Sequence, residues 1–324
     1  MSYRFKPISL TGVRLMKHEI SATNVSRRAF LAALGAAMPL PLRAADDSCR
    51  ELKVGHVYSC RTFTAKGAGV EGLQHQVFTA APMPPADIRR DVIVLHEITG
   101  ANAAFFQYVD TLVDEGFTVH CPVLFSTPLP RFPRTLFVPF AACLGSGFTC
   151  FTRTESSRVN TWLVELADDI AGAEKRKLGV IGMCLTGIQP LAMLRCRSVV
   201  APVLCQPTLP TRDVRVTHPP ASTGRPISFM TISTDPELDR DLGLPPSDVD
   251  FALARVRDEN MSVLLIRFQH DPIAAASRAT RLVEMFKPRL ELFELKGHYH
   301  SSLVNNHGDH SGRRRVSEFL KTHL

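Results

Sequence analysis

The sequence predicts an α/β fold, with a mostly parallel central sheet and helices on both faces. Two observations carry this. From residue 91 onward, short runs rich in Val, Ile and Leu alternate with longer stretches whose apolar residues recur at helical spacing. The short runs are also apolar almost throughout, as expected of strands covered on both sides. Residues 91–96 (Asp-Val-Ile-Val-Leu-His) read as such a strand. Residues 103–115 read as a helix with Phe105, Phe106, Val109, Leu112 and Val113 on one face, and 117–123 as the next strand. Residues 159–173 form a helix through Trp162, Leu163, Leu166 and Ile170. Strands are then expected over 178–183, 199–205, 263–268 and 290–295, and helices over 185–194, 249–257, 274–286 and 316–323. Segments 124–156 and 206–246 are less regular and rich in Pro, Thr and Arg. Such excursions leave an open α/β sheet at its carboxyl edge, where ligands bind, so both are expected to shape a pocket.

The chain has 324 residues, 45% apolar and 21% charged, which is ordinary for a globular protein. No repeat or low-complexity linker divides it, so residues 46–324 read as a single domain behind a leader, residues 1–45. The formal charge of +7 is concentrated in that leader: seven basic residues and one acid there give +6, and the rest of the chain has a net of +1. A nucleic-acid-binding body is therefore not indicated. Within the leader, Ser26-Arg27-Arg28-Ala29-Phe30-Leu31 precedes an apolar run and then Leu42-Arg43-Ala44-Ala45. Paired arginines, a modest apolar core and small residues at a cleavage point read as a twin-arginine export signal, with Met16 a possible start. The partner implied is the export machinery and the location periplasmic; the alternative is an extension on a cytoplasmic enzyme. The apolar run ends at 13 residues, interrupted by Pro39 and Pro41, and is too short for a membrane anchor. The eight cysteines show no Cys-x-x-Cys and no disulfide framework, so most are expected to be core thiols.

The decisive segment is Gly182-Met183-Cys184-Leu185-Thr186-Gly187, between an expected strand and an expected helix. A nucleophile presented on a sharp strand-to-helix turn needs small residues on either side of it. Gly182 supplies one; the β-branched Thr186 fits the other position less well, and Gly187 follows it. A helix N-terminus beneath Cys184 favours the thiolate and offers N–H groups to an oxyanion. The other reading is a buried structural cysteine. An acid and a base are expected after later strands. Asp271 follows the strand over 263–268, with Asp235 as a rival. Lys296-Gly297-His298-Tyr299-His300-Ser301 follows the strand over 290–295. Glu97 follows the strand over 91–96 and would face a cysteine on the neighbouring strand end; the alternative is a solvated loop acid.

Taken together, His96-Glu97-Ile98-Thr99-Gly100, Gly116-Phe117 leading into Cys121-Pro122, the elbow from Gly179 to Leu185, Asp271 and the Gly-His/His-Ser segment resemble the dienelactone hydrolase family over about residues 50–324. Gln206-Pro207-Thr208-Leu209-Pro210 and Asp241-Leu242-Gly243-Leu244 resemble a bacterial branch of it with unassigned substrates. The resemblance implies an α/β-hydrolase fold, Cys184 as nucleophile, Asp271 as the orienting acid, and Glu97 as the carboxylate that holds and activates the thiol. The oxyanion hole would be the backbone N–H groups of Leu185 and Ile98. The base is His300, through its His-Ser match, or His298, through its Gly-His match. His298, His300, His307 and His310 match no tight zinc spacing, and no metal site is expected. Two departures stand out. Thr186 replaces a glycine, and the arginine that in the family binds a substrate carboxylate is absent four residues after either histidine. Arg131, Arg134 or Arg153 are possible substitutes.

The expected chemistry is hydrolysis of a small ester or lactone through a thioester acyl-enzyme, with no cofactor. The alternatives are a catalytically silent scaffold acting as a binding protein, and a thiol peptidase or acyltransferase on the same fold.

Overall fold

The computed structural model describes residues 49–85, 88–97, 99–124, 157–208, 214–217, 229–232, 240–305 and 309–324. The leader, most of both excursions, Ile98, Asp235, His307 and the three candidate arginines lie outside the described residues.

The strands and helices, in chain order, begin with β1 (Leu52–Lys53), β2 (Val57–Thr64), β3 (Gln74–Ala80), β4 (Arg90–Leu95), α1 (Ala103–Asp114) and β5 (Phe117–Pro122). Next come α2 (Arg158–Ala171), β6 (Leu178–Met183), α3 (Gln189–Ala192), β7 (Val199–Cys205), β8 (Val214–Thr217) and β9 (Phe229–Ile232). The chain ends with α4 (Pro246–Asp258), β10 (Val263–Phe268), α5 (Ala276–Phe286), β11 (Leu290–Leu295) and α6 (Ser311–His323). Nine strands make one sheet in the order β1-β2-β3-β5-β4-β6-β7-β10-β11. From β5 to β11 every pairing is parallel, whereas β1, β2 and β3 pair antiparallel. β8 and β9 form a separate antiparallel pair.

Apart from the edge strand β11, the parallel strands read as nearly continuous apolar runs because each face meets its own core. Ile93 and Leu95 of β4, Val180 of β6 and Leu265 of β10 pack with Trp162 and Leu166 of α2, Ala252 of α4 and Leu282 of α5. Val92 and Val94, Ile181 and Met183, and Leu264 and Ile266 face the other way, onto Phe105, Phe106 and Val109 of α1 and Val316 and Phe319 of α6. Strands β1 to β3 were not anticipated. They lie at one end of the sheet, partly open to solvent, and mix polar with apolar residues, so they lack that signature.

Two expectations are corrected. The helix expected over 185–194 is three short pieces: a 3-10 turn at Cys184–Thr186, the four-residue α3, and a second 3-10 turn at Met193–Arg195. Pro190 has no N–H to donate to the Thr186 carbonyl four residues back, so a continuous α-helix cannot run through it. The cysteines are also not all thiols: Cys49 and Cys60 form a disulfide that ties the start of the described chain to β2. A single bridge across a short antiparallel turn has no multi-cysteine spacing to betray it. Cys121, Cys184, Cys196 and Cys205 are free and buried, and Cys143 and Cys150 lie outside the described residues.

At the amino end of β4, the fully buried Asp91 carboxylate accepts from Arg89 at 2.9 Å, from His120 Nε2 at 2.8 Å and from Arg176 at 3.3 Å. His120 Nδ1 lies 3.1 Å from the Thr79 hydroxyl. These contacts fit a neutral ring that donates from Nε2 and accepts at Nδ1. Burial holds the His120 imidazole down despite the neighbouring carboxylate. Burial works against the Asp91 charge, but the His120 and Arg89 hydrogen bonds outweigh it and lower its pKa to about 2. A carboxylate with a depressed folded pKa stabilises the fold above its unfolded value, and that stability is lost as pH falls through the folded value. Urea melts between pH 7 and pH 2 should therefore show a contribution of about 2 kcal/mol from Asp91 that starts to fall at about pH 4 and is lost progressively as pH drops toward about 2. Asp91→Asn should remove that pH dependence, and a melt as acid-sensitive as the wild type would contradict this account.

Candidate active site

The carboxyl ends of β4, β6, β7, β10 and β11 bring together side chains far apart in sequence. Cys184 stands immediately after β6 at φ +55°, in the left-handed region that non-glycine residues adopt only under local strain. The turn fits because Gly182 has no side chain. A Cβ there would lie 2.2 Å from the Thr186 carbonyl oxygen and 2.7 Å from Pro190. Gly187 is needed too, since a Cβ there would meet the Cys205 carbonyl oxygen at 2.7 Å.

Thr186, the departure noted in sequence, proves structural. Its buried hydroxyl accepts from the Met183 N–H at 3.0 Å. Its single proton is shared among the carbonyl oxygens of His96 at 3.1 Å, Met183 at 3.1 Å and Leu95 at 3.3 Å. A glycine could make none of these bonds. The threonine ties the Cys184 turn to the end of β4, one residue from Glu97.

Asp271, beyond β10, has a fully buried side chain. Its Oδ1 accepts from the N–H groups of Ile273 and Ala274, both at 2.8 Å. His300 Nδ1 lies 2.9 Å from Oδ1 and 3.0 Å from Oδ2. With Nδ1 so engaged, Nε2 is the atom left for chemistry. It is buried and meets no acceptor at standard hydrogen-bonding geometry, yet the Cys184 sulfur acts on it strongly. Burial pulls the imidazole pKa down, but Cys184 and Asp271 outweigh it and raise it to about 10. A loose contact of this kind is common in a site that tightens on its substrate.

The two histidine candidates are separated by the structure. His298 is exposed and stacks on the His270 ring, with centroids 4.7 Å apart. Together with the His270 N–H to Gly297 carbonyl bond at 3.1 Å, the stack joins the Asp271 and His300 loops from outside. Among the described residues no three His, Cys, Asp or Glu side chains converge to hold a metal.

Glu97 is buried, but it does not bond the thiol. Its Oε1 accepts from the Ser301 hydroxyl at 2.6 Å and from Gln206 Nε2 at 3.0 Å, and Gln206 Oε1 accepts from the Ser302 hydroxyl. Burial raises the Glu97 carboxyl above the usual carboxylate range, and these donors and His300 only partly offset it. The sequence showed Gln206 and Ser301 only within motif segments, and gave no sign that Gln206 and Ser301 bond Glu97 or that Ser302 bonds Gln206. Gln206 directly follows β7 at φ +33° and donates its N–H to the Ile266 carbonyl at 2.7 Å, which holds it at the end of β10. His96 was also missed. Its Nδ1 lies 2.8 Å from the Glu97 carbonyl oxygen, and its Nε2 accepts the Leu124 N–H at 3.1 Å. Burial keeps this ring neutral, with its pKa lowered to about 4. It thus ties the Glu97 loop to the start of the first excursion. Of the expected oxyanion donors, Leu185 directly follows Cys184 and is buried, and Ile98 lies outside the described residues.

No protein-family model matches the chain, and no curated protein sequence matches it significantly. Solved structures do. A cold-adapted esterase from an Arctic intertidal metagenomic library aligns with 85% of this chain and 97% of its own, at 12% identity and a TM-score of 0.54. The α/β hydrolase GrgF from Penicillium sp. sh18 aligns with 82% of this chain and 99% of its own, at 15% identity and a TM-score of 0.53. The chain has the α/β-hydrolase fold. A candidate dienelactone hydrolase from Klebsiella pneumoniae also matches, over 82% of this chain and 99% of its own, at 16% identity and a TM-score of 0.47.

Thr186→Val keeps the shape of the side chain but leaves the Met183 N–H and the strand-end carbonyls without their hydroxyl. Denaturant melts should show a loss of roughly 2 kcal/mol. If the turn is stabilised as described, Thr186→Ser should recover most of it.

Proposed function

We propose that the chain is a hydrolase of small esters or lactones that works through a cysteine nucleophile and a thioester acyl-enzyme. The observation that carries this reading is the arrangement of His300, held on Nδ1 by both oxygens of buried Asp271 while the sulfur of Cys184, on its strained turn, acts on the same ring. The Cys184 thiolate attacks the substrate carbonyl carbon. The oxyanion is received by N–H groups at the turn, the Leu185 N–H among them, each donor worth on the order of 3 kcal/mol. As the tetrahedral intermediate collapses, the carbon–oxygen bond to the leaving group breaks and His300 Nε2 gives that oxygen its proton. Acylation also removes the sulfur charge that helps hold the proton on His300. The imidazole is then neutral when it must take a proton from the attacking water. Water adds to the thioester carbon, the carbon–sulfur bond breaks, the acid leaves, and the thiolate–imidazolium pair is restored.

The exposed position of His298, away from Asp271, supports His300 as the base. Cys184→Ala and His300→Ala should each lower turnover of p-nitrophenyl acetate at least about 10³-fold, whereas His298→Ala should stay within about threefold. A group with a raised folded pKa keeps its proton, and the stability it brings, until pH rises through that value. By NMR titration His300 should therefore hold its proton to about pH 10, and Cys184→Ala should move that titration toward neutrality. Wild-type turnover by Cys184→Ala would defeat the proposal. If iodoacetamide alkylates Cys184 no faster than the buried Cys121 and Cys205, a silent scaffold is the better reading.

We further propose export by the twin-arginine route. The Cys49–Cys60 disulfide, just beyond the leader, supports it, because such bonds persist in oxidising compartments. In a host with that pathway, Arg27→Lys with Arg28→Lys should leave the protein in the cytoplasm, while the wild type is recovered from the periplasm.

A further inference from the structure

We propose that Arg313 is a positioning residue for the reaction: its guanidinium fixes the loop that carries His300, and turnover depends on that hold. The proposal rests on His300 acting as the base and adds what keeps its ring in line.

Residues 296–305 contain no helix or strand, so the backbone around His300 has no ladder of its own to fix it. Asp271 orients the ring, but a ring bonded through one nitrogen still shifts when its backbone shifts. Side chains supply the missing constraint. The Ser301 hydroxyl donates to Glu97 and accepts the Asn305 N–H at 3.3 Å, and the Ser302 hydroxyl donates to Gln206. Arg313, in the first turn of α6, completes the hold. Its Nε donates to the Leu303 carbonyl at 2.7 Å and its Nη2 to the Val304 carbonyl at 3.1 Å. These carbonyls lie three and four residues after His300.

Both bonds come from one planar fork, which sets the direction of the loop as well as its distance. Leu303 is fully buried and Val304 nearly so, so water is a poor substitute for the guanidinium there. The fork is held in turn. It lies 5.3 Å from the centroid of the buried Tyr108 ring on α1, a favourable seat for a cation. Burial lowers the pKa of Arg313, so its charge is kept half-buried at a cost. The start of α6 also packs close against the loop: a Cβ on Gly312 would sit 3.3 Å from Leu295 and 3.5 Å from the Ser302 carbonyl oxygen. Arg313 therefore joins the His300 loop to α1 and α6. A lysine would keep the charge but not the fork.

The test uses the full-length protein and p-nitrophenyl acetate. Arg313→Lys should lower kcat about tenfold with KM within about twofold of the wild type, and Arg313→Ala should lower kcat about a hundredfold. Added guanidinium ion, far below the concentration that unfolds the protein, should restore part of the Arg313→Ala loss. By NMR, His300 should titrate lower in both variants than in the wild type, as its contacts with Asp271 and the Cys184 sulfur loosen. Loss of the Arg313 charge by itself would raise that titration, so a fall reports geometry. If Arg313→Ala does not fold, the lysine variant decides. Wild-type kcat and an unshifted His300 titration in folded Arg313→Lys would overturn the proposal, even if its melting temperature fell. A lowered kcat with an unshifted titration would overturn His300 as the group through which Arg313 acts. No ester turnover by the wild type, with Cys184 unmodified, would instead remove the hydrolase reading and this proposal with it.

Discussion

The Cys184 turn exists only because two backbones approach closer than side chains would allow. Gly182 leaves room for the Thr186 carbonyl, and Gly187 leaves room for the end of β7. Once the turn is that tight, Cys184 is forced into the left-handed region, and its side chain projects from the sheet edge instead of into either core. Everything else at the site is arranged around that fixed point. β4 is tied to it by the Thr186 hydroxyl, and β7 by the Thr208 N–H, which donates to the Cys184 carbonyl at 3.0 Å. The Asp271–His300 pair arrives from the far side on β10 and β11.

Three carboxylates are handled in three ways, and their surroundings decide which. Asp91, at the opposite end of the sheet, is fully buried but bonded by two arginines and a histidine, so it is held ionised and serves the fold. Asp271 is equally buried but receives two backbone N–H groups and the His300 imidazole, whose orientation it fixes. Glu97 receives only neutral donors, and burial dominates its titration. Environments that push similar groups apart in this way are how one fold assigns them different work.

Much of the fold was readable from residue order, most securely where strands are buried on both faces. The runs over 178–183, 199–205 and 263–268 coincide with β6, β7 and β10, because two-sided burial demands apolar residues at nearly every position; β11 over 290–295 is an edge strand, readable from its alternating Leu and Glu. The antiparallel strands β2 and β3 were invisible for the converse reason: one-sided burial at the sheet's open end leaves them polar enough to pass for loop. The helix after the elbow was misread because apolar spacing does not register a proline that lacks the one N–H an α-helical bond requires. The disulfide was missed because pairing depends on proximity, and Cys49 and Cys60 carry no framework around them.

Order along the chain determined the alternation of strands and helices, the Gly182–Gly187 motif between a strand and a turn, and the order in which Cys184, Asp271 and His300 follow their strands. Tertiary structure alone decided which of His298 and His300 meets Asp271, that Thr186 strengthens the turn instead of spoiling it, and that Glu97 is bonded to Ser301 and Gln206. The reason is that periodicity and motif spacing report burial and local backbone shape, which act over a few residues. A hydrogen bond between Glu97 and Ser301 spans 204 positions, and only the register of parallel strands brings those ends to one edge.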